Sequence, residues 1–416
     1  LQLITHRPEF QPPWSASGHV THYNLNRLTK RHSTAIIETV TGGKSLPDKI
    51  VDQILTKTDG IPLFVEELTK TILDAGFLIE EENAFRLDGP LPPFAIPSTL
   101  QDSLMARLDR LSPVKEVAQT GACIGREFPY DLLACVSLQN DADLQKSLAQ
   151  LVENELIFAR GTPPEATYTF KHALLQDAAY NSLLKSSRQQ LHTKIAKALE
   201  TDFADKLSHE PELAAQHYTA AGLMQQAVPY WLAAGQAAIA KSANEEAINH
   251  LTTGLECLYA LPENPQREEQ ELLLRATLGV SQFTARGYAA PELGDNYEKA
   301  LAIVRRIGDT PFKSPAMFGV WAYHLLRVNY DRATEVANEA LEQAKQTGVP
   351  HEMTAALAAA ATTSIFKGEA QLGQDYSEDS WRTYDVSTHG DMVALYGQDV
   401  GLWCADFGSW ATWLTG

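Results

Sequence analysis

The chain has 416 residues, 44% of them hydrophobic, and a net charge of −18 from 34 Lys+Arg and 52 Asp+Glu. That apolar content fills two or three domain cores, and no apolar run approaches the roughly 20 residues of a membrane span. The acidic balance is −6 over residues 1–205 (20 basic, 26 acidic) and −12 over 206–416 (14 and 26), which disfavours general binding to phosphate backbones.

Cys123, Cys135, Cys257 and Cys404 lie far apart and form no CxxC pair, so neither a zinc site nor a disulfide framework is indicated. Leu1 to Phe10 lacks the basic start and apolar run of a signal peptide, and a reducing cytoplasm is the expected location. There is no initiator Met, residues 1–5 open directly as an apolar strand, and the last helix stops at Gly416 without a polar cap. These features lead us to expect an internal piece of a longer protein.

In chain order, residues 1–30 read as a strand, a long Pro-rich loop and a second strand. Helical spacing follows at 31–40 and 47–58. Gly60-Ile61-Pro62 breaks it, and Pro62 suits the first position of a helix running to about Ala75, which Gly76 ends. Phe77–Glu80 and Ala84–Leu87 form a hairpin, and Leu91-Pro92-Pro93 a linker. Ser98, with Gln101 three residues on, makes a capping-box pattern. Helices are expected at 98–110, 113–123, 129–137 and 141–154. A hairpin follows, Leu156–Ala159 and Tyr168–Phe170 around Gly161–Pro164, then helices at 172–184 and 187–201. Helices followed by a hairpin is a winged-helix order.

From about 205 the sequence is Ala-rich and helical: 211–221, 225–241, 244–260, 266–283, 291–307, 314–328, 331–347, 351–367, 370–384 and 391–413. Second helices share a frame of small residue, +4 and small +7, as in Ala247, Leu251, Gly254 and in Ala333, Ala337, Ala340. Tetratricopeptide repeats have this frame at a period of ~34 residues, because small residues let paired helices meet closely. The fold class expected from these patterns is mainly α, with a winged helix and a TPR-like α-solenoid. The domains are 1–90, 91–204 and 205–416.

Gly42-Gly43-Lys44-Ser45 imitates a phosphate-binding loop, but the first glycine of Gly-x-x-x-x-Gly-Lys-Ser/Thr would fall on Glu38 in a helical stretch, and Pro47 follows at once. We read a plain loop. Thr5 and Arg7 stand at the end of the first expected strand, where α/β folds bind ligands and an arginine can pair with a phosphate; a surface arginine before a proline turn is the alternative. His172 follows a strand and opens a helix, which suits either a phosphate contact or a buried capping histidine. Lys171, Lys185, Arg188, Lys194 and Lys197 against Asp177 read as a solvated face. Glu66-Glu67 has no carboxylate partner at a fixed distance, so no acid/base pair is read, and no Ser/His/Asp set emerges.

Taken together, Thr5-His6-Arg7-Pro8-Glu9-Phe10, Thr58–Leu68, Ile96–Asp109, Phe170–Ala179 and Ala285–Glu292 give the whole chain a likeness. It resembles the AAA-like, STAND-class ATPase plus tetratricopeptide region of bacterial multidomain signalling proteins, many of which carry an adenylate or guanylate cyclase domain and some a kinase. The resemblance implies nucleotide-sensing roles: Thr5 and Arg7 as a sensor reading the γ-phosphate, Gly60 and Pro62 as the Gly-x-Pro turn of the lid, and His172 as the histidine that contacts the β-phosphate of ADP. It also implies a mainly α fold class that opens with a partial α/β P-loop NTPase remnant and a helical lid ahead of the winged helix, with Walker A and Walker B before Leu1. ATP or ADP with Mg therefore belongs to the intact parent, and this piece is expected neither to bind nucleotide tightly nor to act as an enzyme. Its partner would be a protein or ligand on the repeat surface, with neither membrane nor nucleic acid. A DNA-binding transcription regulator of the same ATPase class and a TPR adaptor with a vestigial ATPase remain the alternatives.

Overall fold

Local sequence signals mark the first helix ends of the N-terminal part. In the computed structural model, which describes residues 4–6, 10, 21, 23–88, 97, 99–111, 114–308 and 310–416 (only the backbone of 388–391 and 394), helix α1 spans Lys30–Val40. Its N-cap Thr29 accepts a hydrogen bond from the His32 N–H. Helix α2 (Asp48–Thr58) ends on Asp59 in a left-handed conformation, and Pro62 starts α3 (Pro62–Leu73). Strands β1 (Leu78–Glu80) and β2 (Phe85–Leu87) pair antiparallel with Leu78 opposite Leu87. Ile37, Ile50, Ile54, Phe64, Val65, Leu68 and Ile72 form the core of α1–α3.

The chain then runs through α4 (Leu100–Arg110), α5 (Lys115–Ile124), β3 (Glu127–Pro129), α6 (Tyr130–Val136), α7 (Asp141–Glu153), β4 (Ile157–Arg160), β5 (Thr167–Phe170), α8 (Ala173–Asn181) and α9 (Lys185–Thr201). β4 and β5 pair antiparallel, Ile157 opposite Phe170. The Phe170 N–H also donates to the Arg126 carbonyl, just ahead of β3, a strand the sequence reading missed because three residues are too few to show an alternation.

Two further expectations are corrected. Ile4, Thr5 and His6, and residues 21 and 23–29, lie in no strand; residues 1–3, on which most of the first expected strand falls, lie outside the described residues. The α4 cap is Thr99, which accepts from the Asp102 N–H; the expected Ser98 lies outside the described residues, as do Leu91-Pro92-Pro93.

The structure divides into two compact units. One comprises residues 1–127, 141–162 and 166–182, the other 128–140, 163–165 and 183–416. The second unit continues from α9 with α10 (Ala204–His209), α11 (Glu212–Ala221), α12 (Met224–Ala240), α13 (Asn244–Tyr259), α14 (Pro265–Arg286), α15 (Pro291–Ile307), α16 (Lys313–Leu326), α17 (Tyr330–Thr347), α18 (Pro350–Phe366) and α19 (Ala370–Thr383). A short 3-10 turn (Val386–Thr388), α20 (His389–Tyr396) and α21 (Val400–Thr415) follow. From α11 to α19 each helix packs on the next, and the alternate helices α12, α14, α16 and α18 also touch. That is the contact pattern of stacked helix pairs, so this unit is a mainly α, solenoid-like array. Tyr297 of α15 shows why small residues recur. A Cβ at Gly279 would lie 2.8 Å from its ring and one at Gly319 2.5 Å from it, so two neighbouring helices approach the ring this closely only because both positions lack a side chain. The single helix expected at 391–413 is two, α20 and α21, separated at Gly397 with φ 74.

Two measurements follow from these packings. Gly60 has φ 70, and a Cβ there would lie 2.3 Å from the Leu28 carbonyl oxygen, while its own carbonyl accepts from the Leu28 N–H at 2.8 Å. Gly76 has φ 75 but open space around it. Gly60→Ala is expected to destabilise the first unit by about 2 kcal/mol or more, against about 1 kcal/mol for Gly76→Ala, read from urea unfolding.

In the second unit, the buried His192 and His217 place their Nδ1 atoms 2.9 Å apart, so one donates and the other accepts and both rings are neutral. Burial, with His192 beside it, lowers His217 from 6.5 to about 4. The unfolded chain therefore takes up this proton first. The stability is fully present above pH 6.5 and is lost as pH falls toward 4, up to about 3 kcal/mol. Denaturant midpoints across pH 4–7 should show that slope, and His192→Leu/His217→Leu should flatten it.

Candidate functional site around the third helix

Helix α3 carries most of the polar chemistry of the first unit. Pro62 sets its first turn, so positions 66, 67, 70 and 71 fall on adjoining faces one turn later. Glu67 and Arg107 of α4 are both buried and form an ion pair. The other Arg107 nitrogen, Nη2, donates to the Asn154 carbonyl at 2.7 Å. Beside it the Thr71 and Ser103 hydroxyls lie 2.6 Å apart, Ser103 Oγ donates to the Glu67 carbonyl at 3.2 Å, and Arg110 donates to the Thr71 carbonyl at 3.1 Å. A charge pair this deep is tolerated because its remaining hydrogen-bonding capacity is met.

One turn of surface away, four charges alternate in a closed ring. Lys70 Nζ lies 2.8 Å from Glu66 Oε1 and 2.5 Å from Glu155 Oε2, and Lys171 Nζ lies 3.1 Å from each of the same two oxygens. Burial pulls Glu66 upward, but Lys70 and Lys171 outweigh it and its pKa ends below the usual carboxylate value. Hydrogen bonds from Lys70 and Lys171 hold Glu155 down at about 2. Glu155 has φ 54, a left-handed conformation that a non-glycine residue adopts only at a cost. The ring therefore joins α3, the turn after α7 and the end of β5, segments 85 and 16 residues apart along the chain.

His172 sits next to this ring as the N-cap of α8, without a side-chain capping bond. Its Nε2 is buried and has no hydrogen-bond partner. Burial lowers its pKa, with Glu67 opposing, so the imidazole is neutral at neutral pH. A neutral, buried ring nitrogen without a partner is an unfilled hydrogen-bonding position, and such positions are rare in folded proteins.

Of the five predicted site residues, the structure brings three to α3. Gly60 and Pro62 start the helix, and His172 lies in the electrostatic field of Glu66, Glu67 and Lys70 on its flank. Thr5 is exposed and lies in no strand, and Arg7 lies outside the described residues. The Gly42–Ser45 segment is a plain loop as read: Lys44 Nζ is spent on Glu80 at 2.6 Å, and Ser45 exchanges backbone hydrogen bonds with the β1–β2 hairpin.

Sequence reasoning missed Glu66, Glu67, Lys70, Arg107 and Glu155. It placed Lys171 on a solvated face, whereas Lys171 belongs to the ring; Lys185, Lys194 and Lys197 are indeed exposed. The available signal was the adjacent pair Glu66-Glu67, with Lys70 one turn on, in a helix that is otherwise mostly apolar. Among the described residues, no group of three or more His, Cys, Asp or Glu is placed to hold a metal ion, and no helix is long and apolar enough to cross a membrane.

No family model matches the chain. An uncharacterized protein of Rhizobium meliloti (strain 1021) is 27% identical over 349 residues, covering 81% of this chain and 33% of that protein. The chain thus spans a third of the length of the relative it matches. It is also similar to the crystal structure of a Signal Transduction ATPase with Numerous Domains (STAND) protein with a tetratricopeptide repeat sensor from Pyrococcus horikoshii, with a TM-score of 0.36 at 12% identity, over 95% of this chain and 64% of the other.

Removing one partner of the buried pair strands a charge. Glu67→Leu or Arg107→Met alone is expected to cost about 3–5 kcal/mol, while Glu67→Leu/Arg107→Met together recovers most of that loss. A double-mutant cycle in guanidinium chloride would measure the coupling.

Proposed function

We propose that this chain is the sensing half of a nucleotide-regulated signalling ATPase: a lid helix and a winged helix that close on ADP or ATP with Mg, followed by a TPR-like scaffold that binds a protein. The observation that carries this reading is the unpartnered Nε2 of His172, set beside the helix that Gly60 and Pro62 begin. A phosphate oxygen would complete its hydrogen bonding. The helix, β3, two helices, hairpin order from α5 to β5 supports the winged helix. In this reading the phosphate loop and metal ligands are supplied outside this chain, so the chain alone is no enzyme, and the parent's output, a cyclase or a kinase, belongs to the same proposal, as does a cytoplasmic location.

Direct DNA reading by this unit has little support. The helix before the hairpin, α7, exposes Asp141, Asp143 and Glu153 against Lys146, which gives little counterion-release energy. The adaptor alternative draws on the ring around Lys70 and Lys171, which already neutralises both cations without a ligand.

The test uses the full-length protein. His172→Ala is expected to weaken ADP binding by a factor of about five to a hundred, the loss of one hydrogen bond worth about 1–3 kcal/mol. If the histidine serves only the fold, the variant melts earlier while its affinity per folded molecule is unchanged. Isothermal titration of ADP beside a thermal melt separates the two.

A further inference from the structure

The connection between α19 and α21 departs from the rest of the array. The other helices from α11 to α19 are joined by two to five residues, as at Gly348-Val349 and Ala260–Asn264, whereas residues 384–399 insert a 3-10 turn and the eight-residue α20. The base of the insert is closed: Tyr384 Oη donates to Asp399 Oδ2 at 2.7 Å, and Asp399 caps α21 by accepting from the Gly401 and Leu402 N–H groups. The insert can therefore lift as a loop without uncapping α21.

Its helix is too short to stand alone and is held by two anchors one turn apart. Met392 and Tyr396 are buried at 1% and 3% exposure in the core cluster of the array. The Tyr396 ring meets Phe318 edge-on, with centroids 5.5 Å apart. Its hydroxyl lies 2.9 Å from Ser314 Oγ and 3.4 Å from His351 Nδ1. The Tyr396 carbonyl accepts from Tyr288 Oη at 3.3 Å. Val393, between the anchors, is 40% exposed, so the segment presents one face to the array and another to solvent. Near its end the buried Gln398 Nε2 has no hydrogen-bond partner. The seat is thus apolar at its centre and supplies hydroxyl and imidazole groups at one end, the recognition pattern of an amphipathic helix bearing a tyrosine.

We propose that the seat of Tyr288, Ser314, Phe318 and His351 is a docking site for a helical peptide of a partner protein, and that α20 is a resident lid covering it. The peptide carries a bulky apolar residue four positions before a tyrosine, as Met392 stands before Tyr396, and has basic flanks, because residues 206–416 carry 14 basic against 26 acidic residues. This rests on the reading of the array as a protein-binding scaffold and names the surface and the ligand class.

The probe is a labelled synthetic peptide of residues 386–398 with added lysine flanks, followed by fluorescence anisotropy on the full chain. Met392→Ser/Tyr396→Ser empties the seat and is expected to bind the peptide at least about tenfold more tightly than wild type, where the lid competes. Adding Phe318→Asp to that variant is expected to abolish binding. Hydrogen exchange should show residues 386–398 opening while α19 and α21 stay protected. A second variant, with 386–397 replaced by a Gly-Ser linker, should bind like the first. The proposal is overturned if either emptied variant fails to bind the peptide, or if α19 and α21 lose protection together with the insert, which would make α20 a structural element. ADP titration on the full-length protein carrying the same two substitutions tests the switch reading separately, since His172 and α3 are untouched.

Discussion

The buried pair of Glu67 and Arg107 is the constraint around which the first unit is organised. A carboxylate and a guanidinium removed from water must face each other and must have their other groups met, and this dictates where α4, the end of α7 and α3 can lie. Once Asn154 is drawn to Arg107, the next residue, Glu155, is delivered to Lys70 and Lys171 even though its backbone must turn left-handed. The ring and the pair act in series along α3, so the helix that Gly60 and Pro62 begin is fixed to the β4–β5 hairpin by charges, not by apolar area alone. His172 is placed by the same sequence of contacts, immediately after Lys171.

The second unit follows a different physics. Its cohesion comes from apolar side chains entering spaces left by glycine and alanine, as Tyr297 does between Gly279 and Gly319. Some of its buried polar atoms are met from neighbouring helices: Trp321 Nε1 donates to Thr363 Oγ1 at 2.8 Å and Trp231 Nε1 to Thr219 Oγ1 at 2.9 Å. Such an array transmits geometry through stacking. A segment that inserts into it, as α20 does, alters the packing of several helices at once. The first unit is thus fixed largely by charges and the second by packing.

Much of the fold was legible because its signals are local. Helix α15, expected at 291–307, is Pro291–Ile307, since a proline at its first position and a glycine after its last mark both ends. The frame of Ala247, Leu251 and Gly254 places all three in the helix interface for the same reason. Where local signals conflict or are short, the reading failed. β3 is three residues long, and the run 391–413 is helical throughout in propensity, so only Gly397 and the seat beneath Tyr396 divide it.

The sequence by itself determined the helices, their turns, the small-residue frame of the array and the residues that resemble a nucleotide sensor, because caps, periodicity and steric size act over a few residues. Only the tertiary structure decided that Glu66, Lys70, Glu155 and Lys171 form one ring, that Glu67 answers Arg107, that His172 keeps an unfilled nitrogen, and that α20 lies in the array. Each of those depends on charges or contours brought together from positions 15 to more than 100 residues apart, where attraction depends on distance in space and not along the chain.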